Sequence, residues 1–228
     1  MRRFHNRREA GQLLALELAR HANEKECVIL ALPRGGVPVA HEISHILRLP
    51  LDVLVVRKLG VPGHDELAMG AIASGGIKIL NPNIISALGV TSEALSAVEQ
   101  REWAELERRE KSYRGNLPSL DVAGKTIILV DDGIATGSTI QAAIFSLRER
   151  EARRIIVASP VAPESVIASL EAVVDEDVCV LRPRYFGGVG CWYEDFSQTS
   201  DEEVHRLLEI NGNAGVPPLT PPHQPRFP

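Results

Sequence analysis

The chain has 228 residues, of which 44% are hydrophobic and 24% are charged, so it is long enough to bury one sizeable core. The formal net charge of -5 excludes a general electrostatic attraction to nucleic acid or anionic lipid, and we expect no nucleic-acid partner. No apolar run approaches the roughly 20 residues of a membrane-spanning helix, and the first residues lack the apolar stretch of a signal peptide, so we expect a cytoplasmic protein without a membrane partner.

The chain opens with a predicted amphipathic helix, because apolar residues recur at every fourth position between Arg7 and Ala22. Further along, five short apolar runs are continuous rather than alternating, which is typical of strands buried on both faces of a sheet. These runs are residues 27–32, 51–56, 126–130, 154–158 and 178–181. Helical patterns lie between most of them, so the sequence predicts an α/β fold with an open, mostly parallel five-stranded sheet flanked by helices.

Two regions interrupt this alternation of strands and helices. Residues 57–81 are rich in glycine, which indicates a flexible loop or a β-hairpin rather than a crossover helix. Residues 182–210 hold half of the aromatic residues of the chain, and we interpret this region as a C-terminal hood over the sheet edge. A helix in the hood is predicted to begin near Ser200, with Glu203 completing a capping box. The charged stretch 92–114 predicts a long helix with one narrow apolar side.

The sequence predicts a single domain over residues 1–210. Its core is expected at about 27–181, and the hood and the N-terminal helix form the remainder. Residues 211–228 are rich in proline and poor in apolar side chains, so we predict a disordered tail. The three cysteines are odd in number and widely spaced, which favours neither a disulfide framework nor a zinc site.

The strongest chemical signal is the loop that follows the third apolar run. The buried strand delivers Asp131 and Asp132 to its carboxyl end, where ligands bind in open α/β sheets. Gly137 permits a close approach of the backbone, while Ser138, Thr139 and the first amides of the next helix supply donors for a terminal phosphate dianion. The carboxylates would repel a phosphate and instead suit vicinal hydroxyls, with a hydrated Mg²⁺ nearby. A ribose 5-phosphate unit satisfies both halves of the loop.

Three other motifs could account for the glycines and acidic residues of such loops. The plain alternative is a strand-to-helix turn that ends in acidic residues and a Thr-Gly-Ser-Thr helix cap. A Walker A phosphate loop is excluded because its Gly-Lys-[Ser/Thr] ending is absent from the sequence. The glycine cluster 187–190 neither follows the dinucleotide-binding spacing nor precedes a helix.

Residues 130–139 resemble the signature of the type I phosphoribosyltransferases. The resemblance implies that Asp131 and Asp132 contact the ribose hydroxyls of 5-phosphoribosyl-1-pyrophosphate and hold Mg²⁺ through water. It also implies a flexible loop over the active site and a variable hood that selects the acceptor. The substrate-binding residues that it implies on this loop are Gly133, Ala135, Thr136, Gly137, Ser138 and Thr139.

Two further segments fit the same family. Arg34, Gly35 and Gly36 follow the first strand and precede a helix, which is where the family places its pyrophosphate loop. Arg57 and Lys58 end the second strand and are similar to the Arg-Lys pair with which orotate-type and adenine-type members meet pyrophosphate. Without the resemblance, these segments would be an ordinary turn and ordinary surface charge.

The chain departs from the family pattern at one informative position. In hypoxanthine-guanine members the fifth signature residue is an aspartate that faces the purine, whereas here it is Ala135, so the resemblance does not extend to 6-oxopurine transfer. The hood matches no substrate class of the family. The opening residues Phe4, Arg7, Ala10 and Gly11 resemble those of an unassigned bacterial group within it.

These features predict an enzyme that transfers the phosphoribosyl group to a nitrogen acceptor and releases pyrophosphate. Arg57 and Lys58, together with Arg34 and Mg²⁺, are expected to stabilise the leaving group, while Asp131 and Asp132 hold the ribose. The acceptor itself is not determined by the sequence. The candidates for the group that takes the proton from the acceptor are Asp65, Glu66 and Asp195.

Two alternatives stay open. Some members of this fold sense the sugar pyrophosphate and regulate gene expression without useful turnover, although the charge balance and the lack of a basic stripe argue against direct contact with nucleic acid. The chain could also be a subunit whose catalysis depends on another protein. Whether it forms a homo-oligomer is likewise not determined by the sequence.

Overall fold

The fold is described from a computed structural model that covers residues 3–115 and 121–213. In chain order, the helices are α1 Arg7–Glu17, α2 Gly36–Leu47, α3 Pro82–Ala87, α4 Ser92–Arg114, α5 Ser138–Glu149, α6 Glu164–Leu170 and α7 Asp201–Asn213. The strands are β1 Cys27–Ala31, β2 Leu51–Val53, β3 Val56–Val61, β4 His64–Ala73, β5 Ile77–Leu80, β6 Thr126–Val130, β7 Arg154–Val161 and β8 Glu176–Leu181. None of the described helices is long and apolar enough to cross a membrane.

The main sheet has five parallel strands in the order β2-β1-β6-β7-β8, and helices pack on both of its faces. Every residue of β1 and β6 is buried, which explains why their sequences are unbroken apolar runs. The last residues of these two strands, Ala31 and Val130, are paired. The loops that follow β1 and β6 therefore begin side by side at the carboxyl edge of the sheet. The predicted α/β fold is confirmed.

Residues 57–81 belong to a second sheet, which is antiparallel and has the order β3-β4-β5. Of the two structures predicted for residues 57–81, a flexible loop or a β-hairpin, the chain therefore has the hairpin. Helix α4, which the charged stretch 92–114 predicted, packs on this sheet through buried apolar residues such as Leu106. The second sheet is thus joined to the same core as the main sheet.

The N-terminal segment and the hood fold together over the carboxyl edge of the main sheet. The amide of Phe4 donates to the carbonyl of Trp192 at 2.8 Å, and the carbonyl of Phe4 accepts from the amide of Glu194 at 2.9 Å. Phe4, Trp192 and Tyr193 are buried in a small core of their own, together with Ala10. The segment around Phe4 is therefore part of the hood.

Helix α7 ends the hood and begins after Ser200, as predicted. The Ser200 hydroxyl accepts a hydrogen bond from the amide of Glu203 at 3.1 Å. The helix packs on α2 and α4. It continues to Asn213, past the domain boundary that was predicted at residue 210. The rest of the predicted tail, 214–228, lies outside the described residues.

Candidate active site

The loop between β6 and α5 surrounds a small cavity at the N-terminal end of the helix. Gly137 adopts a left-handed conformation with a φ of 80°, and the helix begins at the next residue, Ser138. The hydroxyls of Thr136 and Ser138 lie 3.2 Å apart. The first turn of the helix and three residues with hydroxyl groups, Thr136, Ser138 and Thr139, therefore border the cavity, which has a volume of about 160 Å³. Its lining residues are Asp131, Gly133, Ile134, Ala135, Thr136, Gly137, Ser138, Thr139 and Ile140.

The two acidic residues at the end of β6 occupy different surroundings. Asp131 lines the cavity, and its Oδ1 accepts a hydrogen bond from the amide of Asp132 at 2.9 Å. Asp132 is buried, and its Oδ2 accepts a hydrogen bond from Nε of Arg7 at 2.7 Å. The hydroxyl of Tyr193 donates to the backbone carbonyl of Asp132 at 2.5 Å. Asp131 thus borders the cavity, and the carboxylate of Asp132 is bonded to Arg7 of α1 beneath the hood.

The electrostatics of this pair follow from burial and from the closeness of the two charges. Burial raises the pKa of Asp131 well above its ordinary value, and the negative charge of Asp132 adds to the shift. Burial also raises the pKa of Asp132, although the adjacent guanidinium of Arg7 opposes this effect. Burial raises the pKa of Tyr193, so its hydroxyl stays protonated and acts as a donor. A cation or hydroxyl donors placed beside Asp131 would favour its ionised form.

The predicted pyrophosphate loop lies directly against the loop of the acid pair. The amide of Leu32 donates to the carbonyl of Val130 at 2.8 Å, which joins the ends of β1 and β6. A Cβ on Gly36 would lie 2.7 Å from the same carbonyl oxygen, and a Cβ on Gly35 would overlap the carboxylate of Asp132. Only glycine fits at both positions, so the structure brings Gly35 and Gly36 together with the acid pair.

The two arginines among the predicted leaving-group cations lie in contact with carboxylates of the chain itself. Nη1 of Arg34 is 3.4 Å from Oδ1 of Asp201, at the start of α7. Arg57 donates from Nε at 2.9 Å and from Nη2 at 2.5 Å to Oε2 of Glu102 in α4. Lys58 is exposed on β3. Both arginines are therefore paired with carboxylates of the chain, and neither lines the cavity of the β6–α5 loop.

The proposed proton acceptors gain little support from the structure. The side chains of Asp65 and Glu66 lie outside the described residues. Asp195 is exposed in the hood, and its carboxylate accepts a hydrogen bond from the amide of Ser197 at 3.0 Å. The hydrogen bonds from Ser197 lower the pKa of Asp195, which makes this carboxylate a weaker base. The role of these three residues stays a prediction.

Two contacts of the site were not predicted from the sequence. A Cβ on Gly133 would overlap the side chain of Val189, so the hood packs directly on the loop after the acid pair. The bond from Arg7 to Asp132 was also missed. The sequence singled out Arg7 as part of the opening motif and the hood by its aromatic residues, but neither pattern indicates which loop they contact.

Comparison with known proteins identifies the family of this chain. The model of the phosphoribosyl transferase domain matches residues 4–179. This chain belongs to the phosphoribosyl transferase domain family. The matched region of this phosphoribosyl transferase domain includes the N-terminal segment, the Gly35–Gly36 loop and the β6–α5 loop.

Relatives of this chain support the assignment to the family. A Mycobacterium tuberculosis protein named "Putative phosphoribosyl transferase" is 43% identical over 209 residues, which are 92% of this chain and 47% of the relative. The chain thus spans about half the length of the curated relatives that it matches. The crystal structure of TT1426 from Thermus thermophilus has 39% sequence identity and a TM-score of 0.80, and covers 91% of this chain and 98% of that chain. The predicted family and fold are confirmed.

Proposed function

We propose that this chain binds 5-phosphoribosyl-1-pyrophosphate, the donor, together with Mg²⁺, transfers the phosphoribosyl group to a nitrogen acceptor and releases pyrophosphate. The observation that carries the proposal is the cavity at the N-terminal end of α5, where hydroxyls and helix amides meet the carboxylate of Asp131. Such a mixed site suits a ligand that has a phosphate at one end and hydroxyls beside it. A free phosphate alone would be repelled by the carboxylate.

The α5 end of the cavity fits the 5-phosphate of the donor. The amides of the first helical turn have no partner within the helix, and the helix dipole favours a dianion in front of them. Thr136 and Ser138 can each add a hydroxyl donor, because both hydroxyls border the cavity. Gly137 carries no side chain of its own, and its left-handed conformation turns the backbone into the first turn of α5.

The Asp131 end of the cavity fits the ribose. An ionised carboxylate accepts hydrogen bonds from two vicinal hydroxyls, and such bonds to a charged acceptor are the stronger kind. The bond from the amide of Asp132 fixes the orientation of the Asp131 carboxylate before the ligand arrives.

The pyrophosphate of the donor is expected beside Gly35 and Gly36, because the loop that contains these glycines touches the β6–α5 loop at Asp132. As the bond from C1 of the ribose to pyrophosphate breaks, C1 becomes positively charged, and the acceptor nitrogen bonds to C1 and loses its proton. Arg34, Arg57 and Lys58 are the cations that would approach the negative charge growing on pyrophosphate. A single hydrogen-bonding group that stabilises a leaving group in this way contributes about 3 kcal/mol. Both arginines would first have to leave their carboxylate partners.

The residues present fit a magnesium ion that is held mainly by the donor. Asp131 offers a carboxylate oxygen at the cavity, whereas Oδ2 of Asp132 is bonded to Arg7. Mg²⁺ sites of this kind use one or two carboxylates, waters and substrate phosphates. Within the described ranges, no group of three or more His, Cys, Asp or Glu residues could form a complete metal site. When bound, the ion would neutralise charge on the pyrophosphate.

A second candidate function is sensing of the donor without turnover. The observation in its favour is that Arg34 and Arg57 each contact a carboxylate of the chain, so both arginines are already engaged by other side chains. Both functions require donor binding. Release of pyrophosphate in the presence of an acceptor separates them.

The first experiment is a thermal melt with the donor and Mg²⁺. A ligand that binds only the native state stabilises it by about 2.7 kcal/mol at a hundredfold excess over Kd, so the melting temperature should rise. The double variant Thr136→Ala with Ser138→Ala should lose much of this shift. Ser169→Ala removes an exposed hydroxyl that donates to Val166 on α6 and should behave as the wild type. No shift in the wild type at millimolar donor would overturn the proposal.

The second experiment is a screen of nucleobases and related heterocycles for pyrophosphate release. Turnover with any nitrogen acceptor supports the transferase. Donor binding without release of pyrophosphate for any acceptor would favour the sensing function instead.

A further inference from the structure

Arg7, a residue of the opening motif, lies at the acid pair although it is far from it in sequence. Its Nε donates to Oδ2 of Asp132 and its Nη1 donates to the carbonyl of Ser197, both at 2.7 Å. The guanidinium carbon lies 4.0 Å from the centroid of the Phe196 ring. Only 12% of the Arg7 side chain and 13% of the Asp132 side chain are exposed. The pair thus joins the hood to the β6–α5 loop through a buried contact.

Asp132 is held from three directions. Arg7 bonds to its carboxylate, Tyr193 bonds to its carbonyl, and Gly35 packs against Oδ2 so closely that no side chain fits between them. Asp131, in contrast, lines the cavity. The two acids look equivalent in the sequence, but Asp131 borders the cavity, whereas Asp132 is bonded to the N-terminal segment and the hood.

We propose that Arg7 is a positioning residue of the donor site. It acts through Asp132: the bond holds that carboxylate under the hood and fixes the backbone at the end of β6, and this sets the direction in which Asp131 meets the ribose hydroxyls. Arg7 itself does not contact the donor. The inference rests on the proposed function, because it assigns the residue that sets the geometry of donor binding.

Stability alone accounts poorly for this contact. A buried ion pair contributes little net stability compared with apolar residues of similar size, because both charges lose their hydration. A guanidinium does fix geometry, since its planar group can bond to a carboxylate and a carbonyl at once while lying over an aromatic ring. The next residue, Arg8, pairs with Glu42 at 3.0 Å and is 74% exposed. Arg8 therefore provides a matched control on the same helix.

The test is calorimetric titration of the whole chain with donor and Mg²⁺. The variants are Arg7→Gln, Asp132→Asn and their combination, with Arg8→Gln as the control. We expect each single variant to lower donor affinity by about tenfold and the combination to lower it no further, because Arg7 acts through Asp132. Arg8→Gln should bind as the wild type. Additive losses in the combination, or unchanged affinity in Arg7→Gln, would overturn the proposal.

A second variant keeps the test decisive if Arg7→Gln does not fold. Phe196→Leu removes the ring beside the guanidinium at a position that is 37% exposed, and it leaves the ion pair in place. Donor affinity should fall by about threefold, since the guanidinium loses its support, and unchanged affinity counts against the positioning role. A wild type that binds no donor overturns the proposed function as well. A wild type that binds, with variants that match it, overturns this inference alone.

Discussion

A Cβ placed on Gly35 would overlap the Oδ2 oxygen of Asp132. The loops that follow β1 and β6 therefore touch through a backbone and a carboxylate, with no room for a side chain between them. Gly35 has a φ of -61°, which any residue can adopt, so space alone requires glycine here. The contact couples the predicted pyrophosphate loop to the acid pair.

Replacing Gly35 with alanine is expected to lower both stability and donor affinity. Arg7 and Tyr193 hold Asp132 in place, so the glycine loop would have to move instead. Overpacking of this kind costs about 1–3 kcal/mol, and the displaced loop should weaken donor binding by about tenfold or more. Thermal melts and calorimetry measure the two effects. A variant that melts and binds as the wild type would show that the loops are apart in solution.

Asp131→Asn is expected to weaken donor binding without destabilising the ligand-free chain. Burial raises the pKa of Asp131, so its ionised form is disfavoured in the fold, and a neutral side chain of the same shape relieves this. Loss of the charged acceptor for ribose hydroxyls should cost about 1.5–3 kcal/mol, or roughly tenfold to a hundredfold in affinity. Calorimetry and melting curves test both parts. A large fall in melting temperature would indicate that the carboxylate is structural.

Glu102→Gln is expected to strengthen pyrophosphate binding while it destabilises the chain. Glu102 is 7% exposed and holds Arg57, so the change leaves that guanidinium without its charged partner and free to reach an anion. Breaking the pair should cost about 1–3 kcal/mol, and pyrophosphate with Mg²⁺ should bind about threefold more tightly. Glu99→Gln is the control, because Glu99 lies on α4 like Glu102 but pairs with Lys78 instead of Arg57. Weaker pyrophosphate binding would show that Arg57 serves the fold alone.

The main sheet and the β6–α5 loop could be predicted because their signals are local. An unbroken apolar run reports burial on both faces, as in β1 and β6, and the residues of a phosphate loop are adjacent in sequence. The strand that leads to Asp131 and the helix that begins at Ser138 are joined by one short loop, so a single stretch of sequence contains both halves of the cavity.

The partners of the charged residues could not be predicted in the same way. Arg7 and Asp132 are 125 residues apart, and Arg34 and Asp201 are 167 residues apart. Periodicity in a sequence indicates which face of a helix or strand is buried, but not which distant side chain it meets. For that reason the sequence assigned Arg34 to the leaving group and left Arg7 without a role.

A thiol-specific reagent should modify one cysteine rapidly in the native chain at about pH 8. Cys191 is exposed, whereas burial raises the pKa of Cys27 to about 12 and that of Cys179 to about 11. The thiolate is the reactive form, and at about pH 8 a thiol with a pKa near 11 has roughly one thousandth of its molecules ionised. Denaturation should expose all three thiols of the chain. Two rapid reactions in the native state would contradict the burial of Cys179.

Hypoxanthine and guanine are expected to be poor acceptors. Ala135 borders the cavity and is exposed, and it offers only a methyl group where the resemblance implies a carboxylate in 6-oxopurine members. A missing bond from a purine N–H to a charged acceptor costs about 1.5–3 kcal/mol in the transition state, which is roughly tenfold to a hundredfold in kcat/KM. Steady-state assays of pyrophosphate release should show this difference relative to acceptors found in the screen.

Ala135→Asp should raise kcat/KM for the two purines, whereas Ala135→Asn, which has a similar shape without the charge, should not. Efficient turnover of either purine by the wild type would show that this signature position does not select the acceptor.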